Sequence, residues 1–170
     1  FLKDPEPAIE AGMAPYLDRI KPGMRVAVAA GSRGIYHYAR MIKCVVDVIK
    51  KAGASPFIIP AMGSHGGATA EGQRKILESY GITEEFCGCP IYSSMETVRV
   101  GELPNGDEVR VDKFAHDADA VIVVGRIKAH TAFRGPYESG HIKMLAIGMG
   151  KREGADSLHQ AGFGEMGERL

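Results

Sequence analysis

The sequence has no excess of charge of either sign: 21 Lys plus Arg face 21 Asp plus Glu in 170 residues. That balance gives no electrostatic footprint for nucleic acid or another polyanion, and no such partner is expected. No apolar run approaches the ~20 residues that a membrane span requires. No signal-peptide pattern is visible, although the chain opens at Phe1 rather than Met. Cysteine is sparse. Cys44, Cys87 and Cys89 are an odd number without a disulfide framework, which fits reduced thiols in a cytoplasmic protein. Cys87-Gly-Cys89 lacks the second ligand pair of a zinc site. Equally absent are a Walker loop, a clear Gly-x-Gly-x-x-Gly after the first strand, and a short-range His-Glu-x-x-His metal motif.

What is present is ordinary globular composition, 25% charged and 45% hydrophobic, with 22 glycines. The length suits one domain with a substantial core. "MRVAVAA" reads as a buried strand over 24–30, followed by the loop "GSRG". Met41, Cys44, Val45, Val48 and Ile49 then recur at helical spacing, and Gly53 ends that helix. Phe57-Ile58-Ile59 predicts a second buried strand. Thr69 is placed to cap a helix over 70–80, with Glu71 in its first turn, an apolar face of Ile76, Leu77 and Tyr80, and Gly81 as its stop. The strand–helix alternation predicts an α/β fold: a mostly parallel, Rossmann-like sheet flanked by helices. An inserted β-hairpin is expected around Pro104-Asn105-Gly106-Asp107, and "ADAVIVVG" restores a buried strand before Gly-interrupted helices. Residues 1–170 read as a single α/β unit. "GFGEMGERL" stops where a further helix would begin, so the chain is expected to be part of a longer two-domain protein.

Three predicted strands end in loops that carry reactive groups: Ser32-Arg33, Ser64-His65, and Lys128 to His130. Parallel strands deliver their carboxyl ends to one edge, so these loops should converge there. Among the six histidines, His37 and His116 read as structural or solvent-facing, whereas His65, His130, His141 and His159 occupy glycine-rich loops or the final segment. Histidine suits proton transfer near neutral pH or metal ligation through a neutral ring nitrogen. Lys143 follows Ser139-Gly140 within "ESGHIKMLAIG". It reads either as an amine extending to solvent from a buried face or as a desolvated nucleophile that attaches covalently to a ligand.

Taken together, "GSRGI", "PAMGSHGGATAEGQ", "LESYGITEE", "GCPIYSSMETV", "RIKAHTAFRGPYESGHIKMLAIGMGK" and "H-x-x-GFG" resemble the lactate racemase-like family, the N-terminal domain of nickel-pincer nucleotide enzymes. The resemblance runs from about Met24 to Gly167. It implies that His65 and His130 are paired acid/base histidines and that Arg33 orients the substrate. Lys143 would tether the pincer nucleotide through a thioamide, Ser139 would lie beside that cofactor, and His159 would ligate nickel. The implied activity is racemisation or epimerisation of a small 2-hydroxy acid by reversible hydride transfer. The implied partners are cofactor-maturation enzymes and a second, C-terminal domain that supplies further substrate contacts. Without that domain the chain is expected not to turn over. Ala129 and Ala132 stand where many family members carry Pro and Asp, His141 replaces an aliphatic residue, and Ala30-Gly31 occupies the place of an aspartate.

Two other classes compete. A non-catalytic nucleotide- or metal-binding module on the same scaffold would have no use for two proton carriers. A metal-dependent hydrolase would need a clustered carboxylate or histidine ligand set that the sequence lacks.

Overall fold

The computed structural model describes residues 2–129 and 138–160, and for 159 and 160 the backbone alone. Its centre is a three-stranded parallel sheet in the order β2-β1-β5, where β1 is Arg25–Ala30, β2 is Ser55–Pro60 and β5 is Ala120–Val124. Val28 pairs with Ile58 on one side and Ile122 on the other. The apolar run of β1 is explained by burial on both faces. Val26, Val28 and Ala30 join a core with Ile42, Val46 and Ile49 of α2 (Tyr38–Lys51) and Leu77 of α3 (Ala70–Ser79). Ala27 and Ala29 point the other way, onto Phe57, Ile59, Ala115 and Met149. This is the expected α/β architecture.

The hairpin is also as expected. β3 (Thr97–Glu102) and β4 (Glu108–Asp112) are antiparallel, and Gly106 turns between them at φ +89°. Asn105 supports the turn by accepting the Asp107 N–H at 3.2 Å. Five short elements have no signal in the sequence reading: α1 (Glu6–Met13), 3₁₀ turns at Ala14–Arg19 and Gly66–Ala68, α4 (Glu84–Cys87) and α5 (Lys113–His116). Helix α1 fully buries none of its residues and turns only the half-buried pair Ile9 and Met13 to the core, a stripe too short to announce it. It is held by Arg40, whose guanidinium pairs with Glu6 at 2.8 Å. All three cysteines are buried free thiols, and burial pushes Cys89 up to about 12.

Thr69 caps α3 as expected, its hydroxyl accepting the Gly72 N–H at 3.0 Å. Gly72 has a second function. A Cβ there would lie 1.9 Å from the Gly66 carbonyl oxygen, because the backbone of the loop bearing His65 rests directly on the helix. In an exposed helix Gly→Ala gains about 1 kcal/mol. Here Gly72→Ala is expected to destabilise by about 1–3 kcal/mol, as overpacking does. Urea unfolding decides this: a variant at least as stable as the parent would mean that the loop does not pack on α3.

Candidate functional site

Strand order places the site. From β1 the chain crosses to β2 on one side, while β5 lies on the other, so the crevice between the carboxyl ends of β1 and β5 is the topological switch point where ligands enter open α/β sheets. A cleft of about 430 Å³ opens there, with Gly31 and Gly125, the first residues after the two strands, in its wall. Tyr38, buried at the start of α2, spans the crevice. Its hydroxyl accepts the Gly31 N–H and donates to the Val124 carbonyl, both at 2.8 Å. Burial pushes its phenol well above the ordinary range, so it stays a neutral two-way hydrogen bonder.

The chain re-enters the cleft through α6 (His141–Lys143) and a π-helical turn (Met144–Gly148), then leaves it in α7 (Lys151–Gln160). Such π turns recur at functional sites. Met144 covers the strand ends: a Cβ at Gly125 would lie 2.0 Å from its sulfur, so the absence of a side chain there admits it. Ser139, Gly140 and Lys143 also line the cleft.

The loops converge as the sequence predicts. Arg33, His65, Ser139 and Lys143 share this one cleft with Ser32, Arg126 and Lys128. His130 lies outside the described residues, as does the side chain of His159, whose backbone belongs to α7. His141 is exposed on α6 and is absent from the cleft lining. His116 is exposed beside Asp117, 3.0 Å away, and His37 precedes α2 in a left-handed conformation at φ +59°.

The electrostatics are one-sided. The described lining holds four cationic side chains, Arg33, Arg126, Lys128 and Lys143, and no carboxylate, although the chain as a whole is neutral. Partial burial, then Lys128 and Arg33, lower the pKa of Lys143. His65 is exposed at the rim, yet its ring is partly desolvated. That loss of water, with Arg33 and Lys143 nearby, holds it below the usual 6.5. At neutral pH, therefore, the cleft offers a neutral imidazole and an amine that deprotonates more readily than a surface lysine.

Beneath the rim lies a buried polar cluster that the sequence did not reveal. Lys151, Asp112 and Gln73 are all fully buried. Lys151 Nζ donates to the Pro60 carbonyl at 2.5 Å and to Gln73 Oε1 at 3.4 Å. Asp112 Oδ2 is 2.8 Å away but outside hydrogen-bond geometry, so that contact is an ion pair by proximity. Gln73 Nε2 donates to the carbonyls of Gly63 and His65 at 2.7 and 3.3 Å. Burial lowers the Lys151 pKa and Asp112 opposes that shift. One signal for Gln73 was available: it sits on the apolar stripe of α3 with Ile76, Leu77 and Tyr80, where a polar residue needs a buried partner. Nothing comparable marked Lys151.

The described residues contain no group of three or more His, Cys, Asp or Glu side chains placed to hold a metal ion. An open parallel sheet with a cationic cleft at its switch point, walled by a half-buried lysine, defines an α/β domain whose cleft is complementary in charge to an anion. Over residues 8–169 the chain matches the lactate racemase N-terminal domain, and it belongs to that family. No curated protein matches the chain.

Proposed function

We propose that this domain forms the proton-transfer and cofactor-binding half of a 2-hydroxy-acid racemase or epimerase that uses a nickel-pincer nucleotide. The observation that carries the reading is the meeting of Arg33, His65, Ser139 and Lys143 in one cleft from three separate chain segments. The donor set fits the group. A phosphate-bearing nucleotide and a substrate carboxylate would neutralise the cationic lining, and Lys143 lies where its amine could be thioacylated by the ligand. Arg126 and Lys128 are placed to hold the phosphate, and His159 is the candidate nickel ligand. When bound, the nickel-pincer group supplies a hydride acceptor and donor.

The chain's own residues do the rest. Arg33 pairs with the substrate carboxylate and fixes which carbon faces the cofactor. His65, neutral at working pH, takes the hydroxyl proton of one enantiomer, and His130 serves the other. Removing a proton from oxygen and a hydride from Cα leaves a planar 2-keto acid, so no carbanion forms beside a carboxylate. Return of hydride to the opposite face, with a proton from the second histidine, inverts the centre. The test is nickel content of the intact protein produced with cofactor-maturation enzymes, beside its His159→Ala variant. Stoichiometric nickel that the variant loses, with interconversion of enantiomers of a 2-hydroxy acid, is the expected result. Absence of nickel from both proteins would sink the reading and leave a binding module for another anion.

A further inference from the structure

We propose that Ser32 is the positioning residue for His65: its hydroxyl accepts the Nδ1–H of the imidazole and so leaves Nε2 as the nitrogen that exchanges protons with the ligand. This rests on the reading of His65 as an acid/base. Ser32 Oγ and His65 Nδ1 lie 2.6 Å apart, joining two loops that follow different strands. Both loops are themselves anchored. The Ser32 carbonyl accepts the Tyr80 hydroxyl at 2.7 Å, next to the Gly31 N–H held by Tyr38. His65 N–H donates to the Met62 carbonyl at 3.1 Å, and its carbonyl accepts from Gln73. The contact is thus between two braced backbones.

The direction of the hydrogen bond follows from the chemistry. A neutral imidazole carries one ring proton, and the bond made by one nitrogen sets the state of the other. If Ser32 donated to Nδ1, the proton would sit on Nε2 and that nitrogen could not act as a base. If Ser32 accepts, Nε2 keeps its lone pair and can take a hydroxyl proton. Nδ1–H then stays bonded to Ser32 in both the neutral and the protonated ring, so the imidazole need not turn during a cycle. A carboxylate in this position would also orient the ring, but it would raise its basicity. A neutral serine leaves the cationic groups that share the cleft in control: Arg33 after β1, Arg126 and Lys128 after β5, and Lys143 on α6.

The test is ring ¹⁵N spectroscopy of the intact protein labelled at histidine, with His65 assigned by its loss in His65→Ala. The wild type should show a protonated Nδ1 and a bare Nε2 above its titration range. Ser32→Ala should move His65 toward the other tautomer, and Ser32→Thr should preserve the wild-type pattern. In the loaded enzyme, Ser32→Ala should lower kcat about tenfold with little change in KM, the loss expected from one hydrogen bond, and Ser32→Thr should restore most of it. A wild-type Nε2–H tautomer, or one that Ser32→Ala leaves unchanged, overturns the proposal. If the tautomer responds to Ser32 while no 2-hydroxy acid is racemised, the positioning stands and the racemase reading falls.

Discussion

Lys151→Met is expected to lower the stability of the folded chain by about 3–5 kcal/mol, the range for removing one partner of a buried ion pair. Three groups lose their cation together: the Asp112 carboxylate, the Pro60 carbonyl at the end of β2, and Gln73 Oε1. All the side chains concerned are fully buried, so water cannot replace the ammonium. The damage should also spread to the cleft, because Gln73 holds Gly63 and His65 and the Gly63 N–H bonds to the Gly148 carbonyl. Asp112→Asn combined with Lys151→Met removes the stranded carboxylate and should recover part of the loss. The pH dependence has a definite sign. Burial sets the folded-state pKa of Lys151 below its ordinary 10.5. Between those two values the unfolded chain binds more protons, so this residue makes stability rise with pH. The wild type should show that alkaline gain and Lys151→Met should lack it. Urea unfolding at several pH values measures both effects, and a loss under about 1 kcal/mol would show that the cluster is not a clamp.

The parts of the molecule that could be read from its sequence are those where local chemistry and tertiary demand agree. β1 and β2 announced themselves because burial on both faces requires unbroken apolar residues. The start of α3 was readable because Thr69 and Glu71 satisfy helix-end donors and dipole within four residues. Convergence of the loops that carry Arg33, His65 and Lys128 followed from strand polarity alone. What stayed hidden depends on long-range contacts. The Ser32–His65 bond joins residues 33 positions apart, and Lys151 meets Gln73 78 positions away. Lys151 also adopts φ +54°, a conformation that favours glycine and that no neighbouring residue forecasts. The π turn after Lys143 reads in sequence only as a short apolar stretch between glycines.

His65→Ala in the intact, loaded enzyme is expected to lower racemisation by about 10²–10⁴-fold, the usual contribution of a positioned acid/base. Both directions must fall equally, since enantiomers interconvert with an equilibrium constant of unity and no catalyst can lose one direction alone. The half-reactions, in contrast, should separate. The enantiomer whose hydroxyl faces His130 should still give 2-keto acid in a single turnover, and the one that faces His65 should not. That asymmetry distinguishes loss of a proton carrier from general damage to the cleft, which would suppress both. The pH profile supplies a second signature. Burial of its ring, with Arg33 and Lys143 nearby, holds His65 below 6.5, so oxidation of the enantiomer that faces it should lose rate as pH drops through that lowered value. The limb should vanish in the variant. Retention of full racemisation by both His65→Ala and His130→Ala would remove the two-histidine mechanism. Equal loss of both half-reactions in His65→Ala would instead reassign His65 to holding the loop that packs on Gly72.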